Sequence, residues 1–358
     1  MNSMNYKCPN CGAPLTFDSG TQDMACAYCG NHFPTETVQQ YEECQNRTKP
    51  SDDYQWEEYK TKEFHSEEKE GMVERKCPSC GGEIICEETT SATSCPYCGN
   101  ATVITSNLSG SFRPDLVIPF KLDKEAAKAA LIKHCSHKPL LPRFFRDKNR
   151  IESISGVYVP FWLFDCGAKG DVNFSATRTM SWSDSQYNYT KTDFYSVFRS
   201  GSADFQMVPE DGSKKMDDTL MESIEPFDYS QAVDFKTAYL SGYLADKYDV
   251  DSEESKPRVN ERVKNSLESL LRDTVRGYMT VNPTDSNIRI EGDKISYALL
   301  PVWMLNTVYR DKTYTFAMNG QTGKFIGDLP VSTGRFIGFF LGFTALFAAI
   351  LSCFFYLT

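Results

Sequence analysis

Eight of the thirteen cysteines are arranged in four C-x-x-C pairs, and these pairs form two sets with the same spacing. Each set has two pairs separated by fourteen residues, and every position of the second set lies 69 residues after its counterpart in the first. The eight residues are Cys8, Cys11, Cys26, Cys29, Cys77, Cys80, Cys95 and Cys98. Between residues 8–31 and 77–100, ten of twenty-four positions are identical, which indicates an internal repeat.

Four cysteines in two such pairs are typical of a tetrahedral Zn²⁺ site made of four thiolates. Two cysteines three residues apart reach one ion only if the chain turns sharply between them, and a glycine after the second Cys permits that backbone. A module this small has little core, so the metal supplies most of its folding free energy. Four Cys at one ion leave no open coordination position, which a catalytic zinc needs. The spacing therefore predicts two structural Zn²⁺ ions in closed sites.

Two other chemistries use C-x-x-C pairs. A redox dithiol usually has one pair on a βαβ frame, so four pairs in two matched sets argue against it. An iron site of the rubredoxin type uses similar turns and is the alternative. The ligand type and the structural context favour zinc over iron. Cys86 aligns with Phe17, a core residue by this interpretation, and is expected to be a small buried hydrophobic residue. His32 is expected at the surface, because four thiolates already suffice.

The sequence contains no recognisable catalytic constellation. G-x-S-x-G and H-E-x-x-H motifs are absent, and GQTGK at 320–324 lacks the spacing of a phosphate-binding loop, so it is interpreted as a hairpin turn. Four His residues give little material for general-base catalysis. Two of them, His134 and His137, are expected at a helix C-terminus, where a cation suits the helix dipole. The chain is predicted not to be an enzyme; the alternative is an active site in the central block.

The acidic charge of the chain is concentrated near its N-terminus. The 358 residues include 38 Lys and Arg against 48 Asp and Glu, a net charge of -10. Residues 1–110 contain eight Lys and Arg against seventeen Asp and Glu, and residues 8–31 and 77–100 contain neither Lys nor Arg. A tetrathiolate zinc adds about two negative charges to each module. Because phosphate binding needs clustered basic residues, this charge argues against a nucleic-acid partner.

The last residues have the length and composition of a membrane-spanning helix. Residues 336–357 form a run of 22 residues without a charge. At ~1.5 Å per residue this helix is about 33 Å long, enough for a bilayer core of roughly 30 Å. Arg335 precedes the run and the N-terminus has no apolar stretch, so we expect a single-pass cell-membrane protein, mostly cytoplasmic, with its C-terminus outside. Gly334, Gly338 and Gly342 have a spacing that favours self-association or pairing with another membrane helix.

The rest of the chain, which must position these features, divides into segments of different composition. We expect two small zinc ribbons in tandem, each with four cysteine ligands, an α+β block with antiparallel sheets, and one C-terminal transmembrane helix. The predicted segments are a first ribbon at 1–34, a charged linker or helix at 35–76, a second ribbon at 77–104, two halves of an α+β domain at 112–255 and 256–330, and the transmembrane helix at 336–357.

The two halves of the α+β block have the same predicted order, a helix followed by four strands. Asp123 is expected to N-cap the first helix, and Ser255 with Pro257 to open a second helix that ends near Tyr278. One apolar stripe marks the inner face of the second helix: Val259, Val263, Leu267, Leu270, Leu271 and Thr274. The following strands contain related segments, VPFWL at 159–163 and LPVWM at 300–304, which suggests an internal duplication.

The combination of these segments resembles a family of bacterial proteins described as TFIIB-type zinc-ribbon-containing, the YdjG-like type with a C-terminal membrane anchor. The segments that carry the resemblance are the twin CPxCG and CxYCGN pairs, GVYVPFW, LLPVW, AYLSGYLADKYDV, MNGQTGKFIGDLP and the C-terminal span. The resemblance implies a place in a membrane-stress operon, with a phage-shock PspA-like protein and a virion-core/SPFH-like protein as partners. A PepSY-like or cystatin-like α+β unit fits the helix-then-meander order of the central block.

These observations together predict a tail-anchored adaptor. Two rigid, acidic zinc modules would face the cytosol from a membrane tether and recruit protein partners during envelope stress. The alternative is a membrane-tethered nucleic-acid-binding or transcription-related zinc-ribbon protein, which the absence of Lys and Arg from both ribbons disfavours.

Overall fold

The computed structural model describes residues 6–47, 52–90, 95–100, 104–107, 113–136, 138–146, 154–216, 218–310 and 312–357. The α-helices within these residues are α1 (Thr35–Arg47), α2 (Ser66–Lys69), α3 (Lys124–Cys135), α4 (Asp218–Ile224), α5 (Ser252–Asp273) and α6 (Thr333–Leu357). Short 3₁₀ helices span Arg143–Arg146, Tyr229–Gln231 and Thr237–Leu240. The strands are β1 (Thr16–Asp18), β2 (Asp23–Ala25), β3 (His32–Phe33), β4 (Asp53–Gln55), β5 (Met72–Lys76), β6 (Glu83–Glu87), β7 (Ile104–Asn107), β8 (Leu116–Val117), β9 (Ser155–Ser183), β10 (Asn188–Asp211), β11 (Val233–Asp234), β12 (Leu244–Asp246), β13 (Thr280–Tyr309), β14 (Lys312–Asn319) and β15 (Phe325–Gly327).

The chain folds into two compact units, each assembled from three stretches. The first unit comprises Met1–Tyr59, Phe164–Val208 and Lys256–Ile295, and the second comprises Lys60–Leu163, Pro209–Ser255 and Ser296–Thr358. The stretches alternate along the chain because three long strands, β9, β10 and β13, contribute residues to both units. The segment boundaries predicted from the sequence mark changes in amino-acid composition. Their interpretation as domain limits stays a prediction.

Each of these long strands replaces two shorter strands that the sequence led us to expect. They contain 29, 24 and 30 residues. Glycines within these strands make room for neighbouring side chains. A Cβ at Gly170 would lie 2.3 Å from Cδ1 of Ile288, and one at Gly201 would lie 2.9 Å from Cδ2 of Leu271. The strands therefore continue through these glycines, and the missing side chains permit close packing in the first unit.

Helix α5 turns its predicted apolar stripe into the core of the first unit. Val259, Val263, Leu267 and Leu271 are buried, as the periodicity predicts. Leu270 is 51% exposed, and Thr274 is exposed just past the end of the helix, so neither belongs to the buried stripe.

The ends of α5 differ from those expected. The helix begins earlier because the Asp251 carboxylate accepts a hydrogen bond from the backbone N–H of Glu254 at 2.7 Å. Pro257 consequently lies inside the helix rather than at its start. The helix ends at Asp273, before the expected end near Tyr278.

The described residues of the charged stretch at 35–76 form four elements, α1, β4, α2 and β5. Strand β4 runs parallel to β13, with Tyr54 opposite Ile290. Beside it, Nε1 of Trp56 donates a hydrogen bond to Oδ1 of Asn260 at 2.7 Å. Tyr54 and Trp56 therefore attach the first part of the charged stretch to the first unit. The average composition of the stretch does not indicate this attachment.

The second unit is built around a mixed sheet. β5 pairs antiparallel with β6 and β7, and β6 pairs antiparallel with β12. β12 runs parallel to β9, and β8 runs parallel to β13. The expectation of antiparallel pairing alone is therefore wrong for this sheet. The short strands β8 and β12 join it from irregular segments, where alternating polarity gives too little signal.

The last strands form the antiparallel meander that the sequence predicts. β13 pairs with β14, and β14 pairs with β15. The GQTGK segment turns between β14 and β15, with the N–H of Gly323 donating to the carbonyl of Asn319 at 2.9 Å, so its interpretation as a hairpin turn is confirmed. The predicted cap of α3 is also present, since the Asp123 carboxylate accepts from the N–H of Ala126 at 2.8 Å. The core under α3 contains Ala127, Leu131, Cys135, Trp303, Leu305, Phe316 and Met318.

Helix α6 is long and apolar enough to cross a membrane, and its membrane-length part, Thr333–Ser352, has no buried residue. Its first turn is attached to the second unit. Nη1 of Arg335 donates to the carbonyl of Pro139 at 3.1 Å, and the N–H of Ser332 donates to the carbonyl of Leu140 at 2.8 Å. The apolar helix is thus held at its start, and no residue of Thr333–Ser352 is buried.

Candidate metal centres

The first set of cysteines forms one compact cluster of sulfur atoms. The Sγ atoms of Cys8 and Cys29 are 3.6 Å apart, and those of Cys11 and Cys26 are 3.5 Å apart. All four sulfurs lie within 4.8 Å of one another.

The second set has the same geometry. The Sγ atoms of Cys77 and Cys98 are 3.6 Å apart, as are those of Cys80 and Cys95. In a tetrahedral site with metal–sulfur distances of about 2.3 Å, the sulfur atoms are about 3.8 Å apart. Each cluster therefore fits its own Zn²⁺ bound by four thiolates. The structure thus brings together all eight predicted ligands in two groups that could hold metal ions.

The same backbone turn shapes all four Cys pairs. At the first pair, the N–H of Gly12 donates to the carbonyl of Cys8 at 2.8 Å, and the N–H of Cys8 donates to the carbonyl of Ala13 at 2.7 Å. Equivalent bonds close the other three turns. The glycine after each pair has a positive φ of 72° or 73°, which a side chain disfavours. These residues are Gly12, Gly30, Gly81 and Gly99.

One thiol of each cluster ionises more readily than an ordinary cysteine. The backbone N–H of Asn31 hydrogen-bonds to the sulfur of Cys29 and lowers its pKa to about 6. Burial raises the pKa of Cys77, but the backbone N–H groups of Cys80 and Ser79 oppose it and the pKa falls to about 7. Because the thiolate is the form that binds metal, each cluster offers an incoming ion one prepared ligand near neutral pH.

The two clusters are alike in geometry and differ in surroundings. β1, β2 and β3 form a sheet of their own around the first cluster, whereas β5, β6 and β7 belong to the mixed sheet of the second unit. Tyr28 of the first cluster is 85% exposed. Its counterpart Tyr97 has a buried hydroxyl beside Asp246, and burial raises the pKa of that phenol. Next to it, the amide of Asn306 donates to the carbonyl of Pro96.

The difference extends to the strands between the Cys pairs. Cys86 is fully buried, as expected, because β6 lies between β5 and β12. Phe17 is 54% exposed, so the expectation that this position is a core residue in the first ribbon is wrong. β1 is an edge strand of a three-stranded sheet, and about half of the ring is left uncovered by the described residues. His32 is exposed, as predicted.

One of the two histidines predicted at a helix C-terminus is among the described residues. His134 lies in the last turn of α3, as predicted, and burial, followed by the nearby Lys138, lowers its pKa. His137 lies outside the described residues. Of the single cysteines, Cys135 and Cys166 are buried. The side chains of Cys44 and Cys353, in α1 and α6, lie outside the described part.

A hydrogen-bonded cluster in the second unit, formed by residues 211–213, Val250 and Trp162 and called a polar node below, was not apparent from the sequence. Oδ1 of Asp211 accepts a hydrogen bond from the N–H of Ser213 at 3.0 Å. The carbonyl of the intervening Gly212 accepts from the N–H of Val250 at 3.1 Å. Nε1 of the buried Trp162 donates to the carbonyl of Val250 at 2.9 Å.

The same node occurs a second time in this unit. Oδ1 of Asn319 accepts from the N–H of Gln321 at 2.9 Å, and the carbonyl of Gly320 accepts from the N–H of Leu122 at 3.0 Å. Nε1 of Trp303 donates to the carbonyl of Leu122 at 2.9 Å. The sequence signal for this pair is a D-G dipeptide at 211–212 and an N-G dipeptide at 319–320. The first ends β10, which pairs with β9, and the second ends β14, which pairs with β13. β9 and β13 are the strands that contain Trp162 and Trp303.

One residue distinguishes the two nodes chemically. Nδ2 of Asn319 donates to the carbonyl of Ile224 at 3.0 Å. At the equivalent place Oδ2 of Asp211 is buried without a hydrogen-bond partner among the described residues. Burial, reinforced by neighbouring acids that include Asp246, raises the pKa of Asp211 to about 8. Asp211 is therefore a neutral carboxylic acid at neutral pH, in the position that an amide occupies in the sister node.

We expect the purified protein to contain two zinc ions per chain, one for each cluster. Elemental analysis measures the metal directly, and replacement by Co²⁺ should produce the intense visible bands of a tetrahedral tetrathiolate site. Cys11→Ser and Cys80→Ser should each lower the content by one ion. Stoichiometric iron in place of zinc would show that the sites are of the rubredoxin type.

Comparison with known proteins finds a relative along nearly the whole chain. The chain is 37% identical over 339 residues to a protein of Bacillus subtilis (strain 168) named YdjG and described as uncharacterized. The match covers 95% of this chain and 94% of that protein. No family profile matches the chain, and no solved structure matches it.

Proposed function

The chain belongs to the family of Bacillus subtilis YdjG, and from that premise we propose that it is a tail-anchored adaptor that recruits protein partners to the cell membrane. Helix α6 carries the proposal, because it is an apolar helix of membrane length with no buried residue in its spanning part. Such a surface is stable in water only if lipid or protein covers it. In this proposal α6 spans the bilayer, the residues before it are cytoplasmic, and the C-terminus is outside.

The ribbons are proposed as the recruiting modules rather than as nucleic-acid binders or catalysts. Residues 8–31 and 77–100 contain neither Lys nor Arg, which disfavours phosphate binding. Phe17 and Tyr28 of the first ribbon are 54% and 85% exposed, and aromatic side chains are common anchors in protein interfaces. Since the second ribbon is part of the mixed sheet, the first ribbon is the better candidate for the recruiting surface.

The finer parts of the proposal come from the family resemblance. We propose PspA-like and SPFH-like proteins of an envelope-stress system as the partners, and TFIIB-type folds for the ribbons. We also propose that the two halves of the α+β block arose by duplication as PepSY-like or cystatin-like units, which the twofold occurrence of the polar node supports. Open space beside Gly334, Gly338 and Gly342 on α6 supports close pairing with another membrane helix.

The adaptor proposal predicts that partner capture depends on the exposed aromatics of the first ribbon. We expect a Phe17→Ser/Tyr28→Ser variant to lose most of the partners that the wild-type protein retains in a membrane pull-down analysed by mass spectrometry. Zinc content should stay unchanged, because neither residue is a ligand. Ile132→Ser, a matched control at a residue that is 53% exposed on α3, should retain the partners.

Two results would contradict the proposal. One is recovery of the same partners with the double variant and the wild type, which would move the recruiting surface away from the first ribbon. The other is tight, salt-sensitive binding of DNA or RNA by the full chain, which would favour the membrane-tethered nucleic-acid-binding alternative.

A further inference from the structure

The end of the β9–β10 hairpin is a ribbon of two strands in the first unit. Strand β13 begins at Thr280, beside Thr177 of β9, where the two hydroxyls are 2.6 Å apart. The hairpin continues beyond this point toward its tip. Nearer the tip, every residue from 180 to 192 is exposed. The ribbon therefore presents both of its faces to the surroundings.

One face of this ribbon carries hydroxyl groups. The Oγ atoms of Ser181 and Thr190 are 3.2 Å apart, and those of Thr179 and Thr192 are 3.1 Å apart. These two pairs fix the register of the strands. Because side chains alternate between the faces of a strand, they also fix which residues lie on the opposite face.

The opposite face carries large apolar and aromatic side chains. Met180, Trp182, Tyr187 and Tyr189 are 50%, 52%, 63% and 39% exposed. The rings of Trp182 and Tyr189 stack with centroids 5.6 Å apart and planes 14° apart. We call these four residues the aromatic face of the ribbon.

The turn at the tip holds this face in place. The Asp184 carboxylate accepts hydrogen bonds from the N–H groups of Gln186 and Tyr187 at 2.8 and 2.7 Å. It also accepts one from the hydroxyl of Tyr189 at 2.9 Å. The same carboxylate thus holds the backbone of Tyr187 and the hydroxyl of Tyr189, so part of the aromatic face is ordered by the turn itself.

We infer that the aromatic face binds the headgroup region of a lipid bilayer. An aromatic side chain that is buried completely removes roughly 150–250 Å² from water, so four half-exposed side chains offer on the order of 400 Å². A stable protein interface needs about 800 Å² from each partner, roughly twice that area. The exposed face is thus too small for a lasting protein complex, and an interfacial lipid contact has no such minimum.

The chemistry of the face fits that occupant. Trp and Tyr have an apolar ring and one polar group, and they concentrate where hydrocarbon meets water in a bilayer. The hydroxyls on the other face suit water. Lys191 and Asp193 on the aromatic side form an ion pair at 3.0 Å and together add no net charge. The Asp184 carboxylate at the tip is held by three hydrogen bonds. The amphipathic ribbon lies flat, with its aromatic face toward the bilayer.

The inference rests on the proposed membrane anchor and adds a second contact between the chain and the bilayer. Helix α6 would keep every exposed surface of the chain at a high effective concentration of lipid, so a weak contact becomes populated without being strong by itself.

Tryptophan fluorescence of the full chain in vesicles tests the inference. The protein has four tryptophans, of which Trp162 and Trp303 are 1% and 4% exposed. The chain is reconstituted in phosphatidylcholine/phosphatidylglycerol vesicles with either plain or brominated acyl chains, and Trp182→Phe supplies the background of the other three. We expect roughly a halving of the Trp182 emission by brominated lipid, because an indole at headgroup level lies close to the bromines.

A matched variant moves the indole to the other face of the same ribbon. Trp182→Phe combined with Thr190→Trp should show no bromine quenching above background and ready quenching by aqueous iodide. If Trp182 is quenched by iodide and untouched by brominated lipid, or if both faces are quenched equally by brominated lipid, the inference is wrong. Flotation with the vesicles monitors the anchor separately, so failure of the proposed anchor is distinguishable from failure of the ribbon contact.

Discussion

Replacing Cys80 by Ser should lower the thermal unfolding midpoint of the full-length protein by about 10 °C, whereas Cys11→Ser should leave the main transition within a few degrees. The two cysteines occupy equivalent positions of the repeat, 69 residues apart, and both are exposed. Each substitution removes one ligand of one site. The expected difference therefore comes from what each ribbon is attached to.

The second ribbon is part of the structure of its unit. β6 pairs with β12, so the strand that leaves the first Cys pair is also a strand of the mixed sheet. Cys77 and Cys95 are 0% and 1% exposed and pack inside this region. Structural zinc contributes about 10–16 kcal/mol of apparent binding free energy in small zinc modules. Loss of the metal should therefore expose a sheet edge and weaken the whole unit.

The first ribbon has a sheet and a small core of its own. That core consists of Cys8, Leu15, Met24, Cys26 and Val38. Without its metal it should unfold locally, because in the described part of the chain β1, β2 and β3 pair only with one another. The loss should be seen as increased proteolysis near the N-terminus rather than as a shift of the main transition.

Differential scanning calorimetry of the two variants, with zinc content measured on the same samples, checks the prediction. Equal shifts for both variants would contradict it and would mean that the two sites support the fold to the same extent. A small shift for Cys80→Ser with zinc retained would show instead that three thiolates and a water suffice at the second site.

The sequence was sufficient for the metal clusters because their geometry is local. Two Cys three residues apart, followed by a glycine, define the turn, and all four glycines have the positive φ that this requires. The capped helix α3 and the buried stripe of α5 were predictable for the same reason, since caps and periodicity depend on neighbours along the chain.

What the sequence could not indicate depends on contacts between distant segments. Tyr28 and Tyr97 occupy the same position of the repeat, yet one is 85% exposed and the other has its hydroxyl buried beside Asp246. Nothing within either repeat distinguishes them. Strand β9 continues through Gly170, where the sequence led us to expect two separate strands, and only the position of Ile288, 118 residues later, shows why a glycine is needed there. Trp56 likewise holds its stretch in place through Asn260, 204 residues away.

The two polar nodes lead to the second large prediction. Asp211→Asn should lessen the loss of stability that the protein shows as the pH rises from 6 to 9. Burial raises the pKa of Asp211 to about 8, above the ordinary aspartate value near 4 in the unfolded chain. The folded state therefore binds the proton more tightly, and stability falls with rising pH until the pH passes the folded-state pKa. Between pH 6 and 8 this one group contributes a loss of about 3 kcal/mol, at 1.36 kcal/mol per pH unit.

An amide at position 211 removes that loss because it does not ionise. An amide is also the group that Asn319 presents at the equivalent place of the sister node. The wild type and the variant should therefore have similar stability near pH 6 and differ by about 3 kcal/mol at pH 9. Denaturant unfolding at a series of pH values, in buffer with saturating zinc, measures both curves.

The reverse substitution at the sister node is the matched control. Asn319→Asp places a carboxyl group against the carbonyl of Ile224, where ionisation would bring like charges together. This variant should lose more stability than the wild type as the pH rises from 6 to 9, whereas Asp211→Asn should lose less. The double exchange, Asp211→Asn with Asn319→Asp, should restore a slope close to that of the wild type, since each node then holds the other's residue. Parallel stability curves for the wild type and Asp211→Asn from pH 6 to 9 would mean that Asp211 is already ionised in the fold, and the equivalence of the two nodes would not extend to their protonation.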